Sequence, residues 1–158
     1  MKGDPKVIEQ LNKALREELT AINQYFVHAE MCANWGYNKL SAHIRKQSID
    51  EMRHAEALIE RILFLDVTPS MDLEPLNIGS NVKKQLANDL ALEIGAVASY
   101  NAAVRIAQEA GDNASRELFE RHLKEEEGHV DWLEVQHHLI SEIGYERYLT
   151  QQMPGQAE

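Results

Sequence analysis

The segment Ser48-Ile49-Asp50-Glu51-Met52-Arg53-His54-Ala55 contains a Glu-x-x-His pair, Glu51 with His54. A second pair, Glu126 with His129, stands in Glu125-Glu126-Glu127-Gly128-His129-Val130, 75 positions further on. The same offset of 75 relates Glu18 to Glu93 and Tyr25 to Tyr100, and each lone Glu precedes the Glu of its pair by 33 residues. Matched offsets of this kind mark an internal repeat, not chance. Three residues make nearly one helical turn, so each pair shows both side chains on one face, about 4.5 Å apart along the axis. One Glu from each of two helices plus a Glu-x-x-His from each of two more is the ligand set of a di-metal carboxylate bundle. The repeat therefore predicts an all-α four-helix bundle in which Glu18, Glu51, His54, Glu93, Glu126 and His129 hold two metal ions.

Period and punctuation elsewhere agree. Asp4-Pro5 starts a helix, because the carboxylate accepts orphan amide hydrogens and Pro suits the first helical position. Apolar residues then recur at helical spacing through Val7, Leu11, Leu15, Leu19, Ile22 and Phe26 to about residue 34, and Gly36 stops the run. Further helices are expected over about 39–66, 82–110 and 114–142, with a short one over 145–152. The whole of 1–158 is expected to be one domain. Residues 67–81, with Pro69, Pro75 and Gly79, are a connection that can reach at most about 50 Å, against helices of roughly 40 Å. It is long enough to return along the bundle, so the third helix is expected to start at the same end as the second. On these bounds all four repeat glutamates lie about 18 Å from the start of their helices, near mid-bundle.

Charge decides what such a site needs. Four ionised carboxylates in a bundle interior repel one another and lose hydration, so some must protonate unless cations neutralise them. Two divalent ions against four carboxylates, with neutral imidazoles, balance. Oxygen and imidazole ligands without thiolate suit iron or manganese, and zinc also binds such a set. The chain as a whole carries −10, from 26 acids and 16 bases, with no basic cluster, which argues against nucleic acid or an anionic membrane as partner. The single cysteine, Cys32, reads as a small buried hydrophobe. No run of about 18 apolar residues and no signal-peptide pattern is present, so the expected location is cytoplasmic.

Other polar and aromatic residues receive plainer readings. Glu134 with His137 repeats the Glu-x-x-His spacing but has no partner at the repeat offset, and reads as a solvated face. Tyr25 and Tyr100 follow Glu18 and Glu93 by seven residues, two turns along the same face, and read as packing and hydrogen-bonding groups that support the ligands. His28, His43, His122, His137 and His138 are expected at the surface, and Trp35 and Trp132 in packing.

With these motifs in hand, the chain resembles the bacterioferritins over nearly its whole length. The strings that carry the resemblance are Ala21-Ile22-Asn23-Gln24-Tyr25-Phe26, Ser48 to Ala55, Ile59-Glu60-Arg61-Ile62-Leu63-Phe64-Leu65, Leu76-Asn77-Ile78-Gly79, Asp89-Leu90-Ala91-Leu92-Glu93 and Glu125 to Glu134. The resemblance implies a ferritin-like four-helix bundle with one long crossover connection and a short fifth C-terminal helix. It also implies a ferroxidase di-iron centre in each subunit, using oxygen or peroxide, and ferric mineral stored in a 24-subunit shell. The shell would be a homo-oligomer built of two-fold dimers, or a co-assembly with a related subunit. Carried over residue by residue, Glu18 and His54 are terminal ligands of one iron, Glu93 and His129 of the other, and Glu51 and Glu126 bridge. Met52 corresponds to the residue through which two subunits of a dimer ligate one haem b, and a small ferredoxin would supply electrons for iron release. Position 46 is Lys where some members have a His that holds a further iron with Asp50, so that inner site should be weak here.

The rival class is a di-iron oxidase or hydroxylase acting on an organic substrate, which shares the ligand set but requires a substrate pocket. A rubrerythrin-like peroxidase would require a Cys-x-x-Cys iron domain, which a single cysteine excludes. A metal-free interaction bundle would leave the buried carboxylates uncompensated.

Overall fold

A computed structural model describes residues 1–155; residues 156–158 of the expected single domain lie outside it. Five helices follow in order: α1 (Pro5–Asn34), α2 (Asn38–Phe64), α3 (Val82–Glu109), α4 (Asn113–Ile143) and α5 (Tyr145–Gln152). No strand occurs among the described residues. Asp4 caps α1 by accepting from the amides of Lys6 and Val7, with Pro5 opening the helix. Asn81 caps α3 through the amide of Lys84, and Asp112 caps α4 through that of Ser115. The second helix stops at Phe64, two residues short of expectation, where Asp66 turns the chain in the left-handed region at φ 61°.

Chain direction follows from how the crossover is fastened. Its amides at Ser70, Glu74, Asn77 and Gly79 donate in turn to Asn12 Oδ1, Thr20 Oγ1, Gln24 Oε1 and His28 Nε2 of α1, at 3.0, 2.9, 3.1 and 3.0 Å. Crossover and α1 therefore run parallel, and α3 begins at the end where α2 began. This is the one-crossover bundle topology. The polar rail also corrects one sequence expectation: His28, placed at the surface by its lack of a repeat partner, is fully buried beneath the crossover. Its other nitrogen, Nδ1, lies 2.9 Å from Asp89 Oδ1 of α3.

Two apolar clusters fill the bundle. One contains Leu11, Leu15, Leu58, Ile62 and Phe119; the other contains Ala29, Cys32, Leu40, Ile44, Leu86 and Leu133, with Tyr148 of α5 packed on it. The repeat glutamates lie between the two, closed off from both ends. Cys32 is buried as expected and donates to Gln85 Oε1 at 3.3 Å. Helix α3 has an 18-residue window of mean hydropathy 1.2, enough by length and composition to cross a membrane. In this fold it packs on α1 and α4 and carries the buried Glu93.

Candidate metal centre

Each of the four long helices delivers its glutamate to mid-bundle, and all four are buried: Glu18, Glu51, Glu93 and Glu126 are at most 2% exposed. His54 is buried beside them, and His129 is nearly so. His54 Nδ1 lies 2.9 Å from Glu126 Oε1, 3.4 Å from Glu18 Oε1 and 3.6 Å from Glu51 Oε1. His129 Nδ1 lies 3.1 Å from Glu51 Oε1, 3.3 Å from Glu126 Oε2 and 3.4 Å from Glu93 Oε1. The two halves are thus near copies, as the repeat requires. Their donor atoms form two four-residue groups, Glu18-Glu51-His54-Glu126 and Glu51-Glu93-Glu126-His129, each within 4.8 Å. Glu51 and Glu126 belong to both.

The donors are only partly satisfied by one another. Glu18 Oε2, Glu51 Oε1, Glu93 Oε2, Glu126 Oε2 and His129 Nδ1 are buried without a hydrogen bond. His129 Nδ1 and Glu51 Oε1 are close but misaligned, so proximity there does not amount to a bond. Buried polar atoms are normally paired, and five orphans among six residues mark room for a cation. The packed carboxylates and imidazoles favour bound protons. Burial pushes Glu51 and Glu126 well above the carboxylate range, with neighbouring acids adding to it. Burial opposes protonation of His54 and His129, but the close carboxylates of Glu126 with Glu18 or Glu93 override it, to about 11 and about 10. Glu18 moves the other way: despite burial, hydrogen bonds from Glu51 and His54 hold it below its ordinary value.

The tyrosines reach across the repeat. Tyr25 of α1 donates to Glu93 of α3, while Tyr100 of α3 donates to Glu18 Oε1 of α1 at 2.6 Å. Each therefore orients the lone glutamate of the opposite half, although sequence spacing paired it with its own.

Two residues near the centre, His122 and Glu125, were misplaced or missed by the sequence reading. His122, expected at the surface, is 3% exposed and stacks on His54 with ring centroids 4.3 Å apart. Its position one turn before Glu126 was the available signal, but the repeat puts Gln47 at the matching place and so conceals it. Glu125 reaches His54 Nε2 at 2.5 Å. Asp50 lies 3.5 Å from Lys46 Nζ and 3.7 Å from Arg53 Nη1, so its charge is already engaged.

Of the other histidines, His43 is half-buried and stacks on Trp132, His137 is half-buried, and only His138 is exposed as expected. Glu134 is exposed. Trp132 packs as expected, whereas Trp35 is more than a third exposed. Met52 lies outside the centre, 55% exposed, on a face that also leaves Ile49 at 45%.

Four helices with one crossover around a buried carboxylate–imidazole set define the ferritin-like class, and a ferritin-like domain matches residues 8–143. A bacterioferritin of Brucella melitensis is 48% identical over 149 residues, 94% of this chain and 92% of the relative. One of Rhodobacter capsulatus is 48% identical over 145 residues, 91% and 90% of the two chains. Bacterioferritin BfrA of Mycobacterium tuberculosis is 43% identical over 152 residues, 96% of each. The chain belongs to the bacterioferritin family.

Proposed function

We propose that this chain stores and detoxifies iron, oxidising ferrous ions at the mid-bundle centre. The observation that carries the reading is the set of five unpartnered buried donors on residues shared between two adjoining groups. Ferrous iron is here the substrate, held by Glu18 and His54 at one position and by Glu93 and His129 at the other, with Glu51 and Glu126 common to both. Each ion gives up one electron. A pair supplies the two electrons that, with two protons, reduce oxygen to hydrogen peroxide, or hydrogen peroxide to two waters. The carboxylates favour the more highly charged ferric product, and Tyr25 and Tyr100 keep the lone glutamates aimed inward. Ferric ions then pass to a mineral inside a 24-subunit shell built of two-fold dimers, of this chain alone or with a related subunit.

Met52 would hold haem b in such a dimer through its thioether sulfur. Its exposure suits a group shared between subunits, and a thioether is a donor that a haem iron accepts. When bound, the haem would supply electron transfer, with a small ferredoxin as donor for iron release.

The test is stopped-flow absorbance of aerobic ferrous oxidation. Glu18→Ala or His54→Ala should abolish the rapid phase while gel filtration still shows a particle of about 24 subunits. Unchanged kinetics would remove the site assignment. A wild-type particle of monomer or dimer size would favour an oxidase acting on an organic substrate.

A further inference from the structure

His122 is a buried imidazole that the six-residue centre does not use. Among the described residues one polar partner reaches it, Tyr100, whose oxygen lies 3.2 Å from Nδ1. That hydroxyl hydrogen is committed to Glu18, so the contact runs from Nδ1–H to the tyrosine oxygen, leaving a neutral ring with a lone pair on its second nitrogen. Neutral imidazole is the form that binds metal.

Donor atoms of Glu18, His54 and His122 all lie within 4.8 Å of one another. A common centre is then within about 2.8 Å of each, 4.8 Å divided by √3, against ~2.0–2.2 Å for a metal bond to nitrogen or oxygen. Shifts below about 1 Å close that gap. An opening of about 300 Å³ lined by Asp50, Arg53, His54, Arg121, His122 and Glu125 adjoins this side. The other half of the repeat has no such donor, because Gln47 stands at the matching position and α4 alone carries an imidazole one turn before its bridging glutamate.

We propose that His122 is an additional metal ligand at the Glu18–His54 position, making the two metal positions unequal. The inference rests on the di-metal reading and adds to it an order of filling. The nitrogen-richer position takes a transition metal first and the Glu93–His129 position second.

Anaerobic titration of the metal-free full-length protein with Co(II), read by its visible d–d absorption, tests this. Wild type should take up two ions per subunit in two resolved steps. His122→Leu should weaken the tighter step at least about tenfold. His122→Gln, which restores a donor to Tyr100 without an imidazole, should weaken it as well and covers the case in which the leucine variant misfolds. His138→Leu, at an exposed histidine away from the centre, should leave both steps in place. Superimposable isotherms for wild type and either His122 variant would overturn the proposal. So would a His138→Leu variant that loses the tight step equally, since the effect would then not be particular to His122. A wild-type chain that takes up no Co(II) would instead defeat the di-metal reading itself.

Discussion

At the scale of single residues, protons balance the charge of the buried carboxylates. Glu51, Glu126, His54 and His129 are all shifted toward their protonated forms in the metal-free chain, the imidazoles to about 11 and about 10. Metal ligands must be deprotonated, so loading two divalent ions at pH 7 should expel up to four protons per subunit, one from each of these groups. The sign follows: affinity rises with pH and falls as acid restores the protons. An indicator dye in weakly buffered solution measures the release directly, and loading without proton release would show that these groups do not bind. The misplaced histidines belong to this scale too. Spacing read His28 and His122 as surface residues because neither has a repeat partner, yet one supports the crossover and the other lies against His54. A repeat reveals what its halves share and conceals what only one half carries.

Among the elements, the crossover is the one whose attachment matters most. Gly79 closes its last rung to His28, and its carbonyl accepts from Gln85 Nε2. A Cβ at that position would meet Gln85 N at 2.4 Å and its Cα at 2.7 Å, backbone atoms that cannot step aside. Gly79→Ala should therefore cost about 1–3 kcal/mol and lower the thermal midpoint by several degrees, which calorimetry on the full-length protein would detect. The start of α4 depends on Asp112, which accepts from Ser115 N, Ser115 Oγ and Arg61 Nη2. Burial is the largest single influence and opposes its ionisation, but the Ser115 hydrogen bonds and Arg61 together hold its carboxyl below the usual value. A carboxylate lowered on folding stabilises above its unfolded pKa of about 3.9 and loses that contribution as pH falls through the folded value. Asp112→Ala should thus cost about 1–2 kcal/mol near neutrality. The difference from wild type should shrink in denaturant titrations below about pH 4, and a gap independent of pH would contradict the assignment.

Across the whole molecule, several large apolar side chains are exposed, among them Phe26, Ile49, Met52, Met71 and Leu73 on α1, α2 and the crossover, each at least 45% exposed. Surfaces of that kind mark partner contacts, in line with the proposed dimers of a larger shell. Met52→Leu should abolish the visible haem absorption and leave rapid ferrous oxidation unchanged, since Met52 lies outside the mid-bundle centre; a retained band would place the haem ligand elsewhere. The helices, their approximate bounds, the crossover and the six inward residues could all be read in the chain, because hydrophobic period, caps and matched offsets are local properties written along it. The alignment of Tyr25 with Glu93 and of Tyr100 with Glu18, the rail of Asn12, Thr20, Gln24 and His28, and the burial of His122 were decided only when the helices packed. Which side chains meet across a bundle depends on the rotation of each helix about its axis and on its height against its neighbours. Those are properties of the packed whole, and no spacing along one helix contains them.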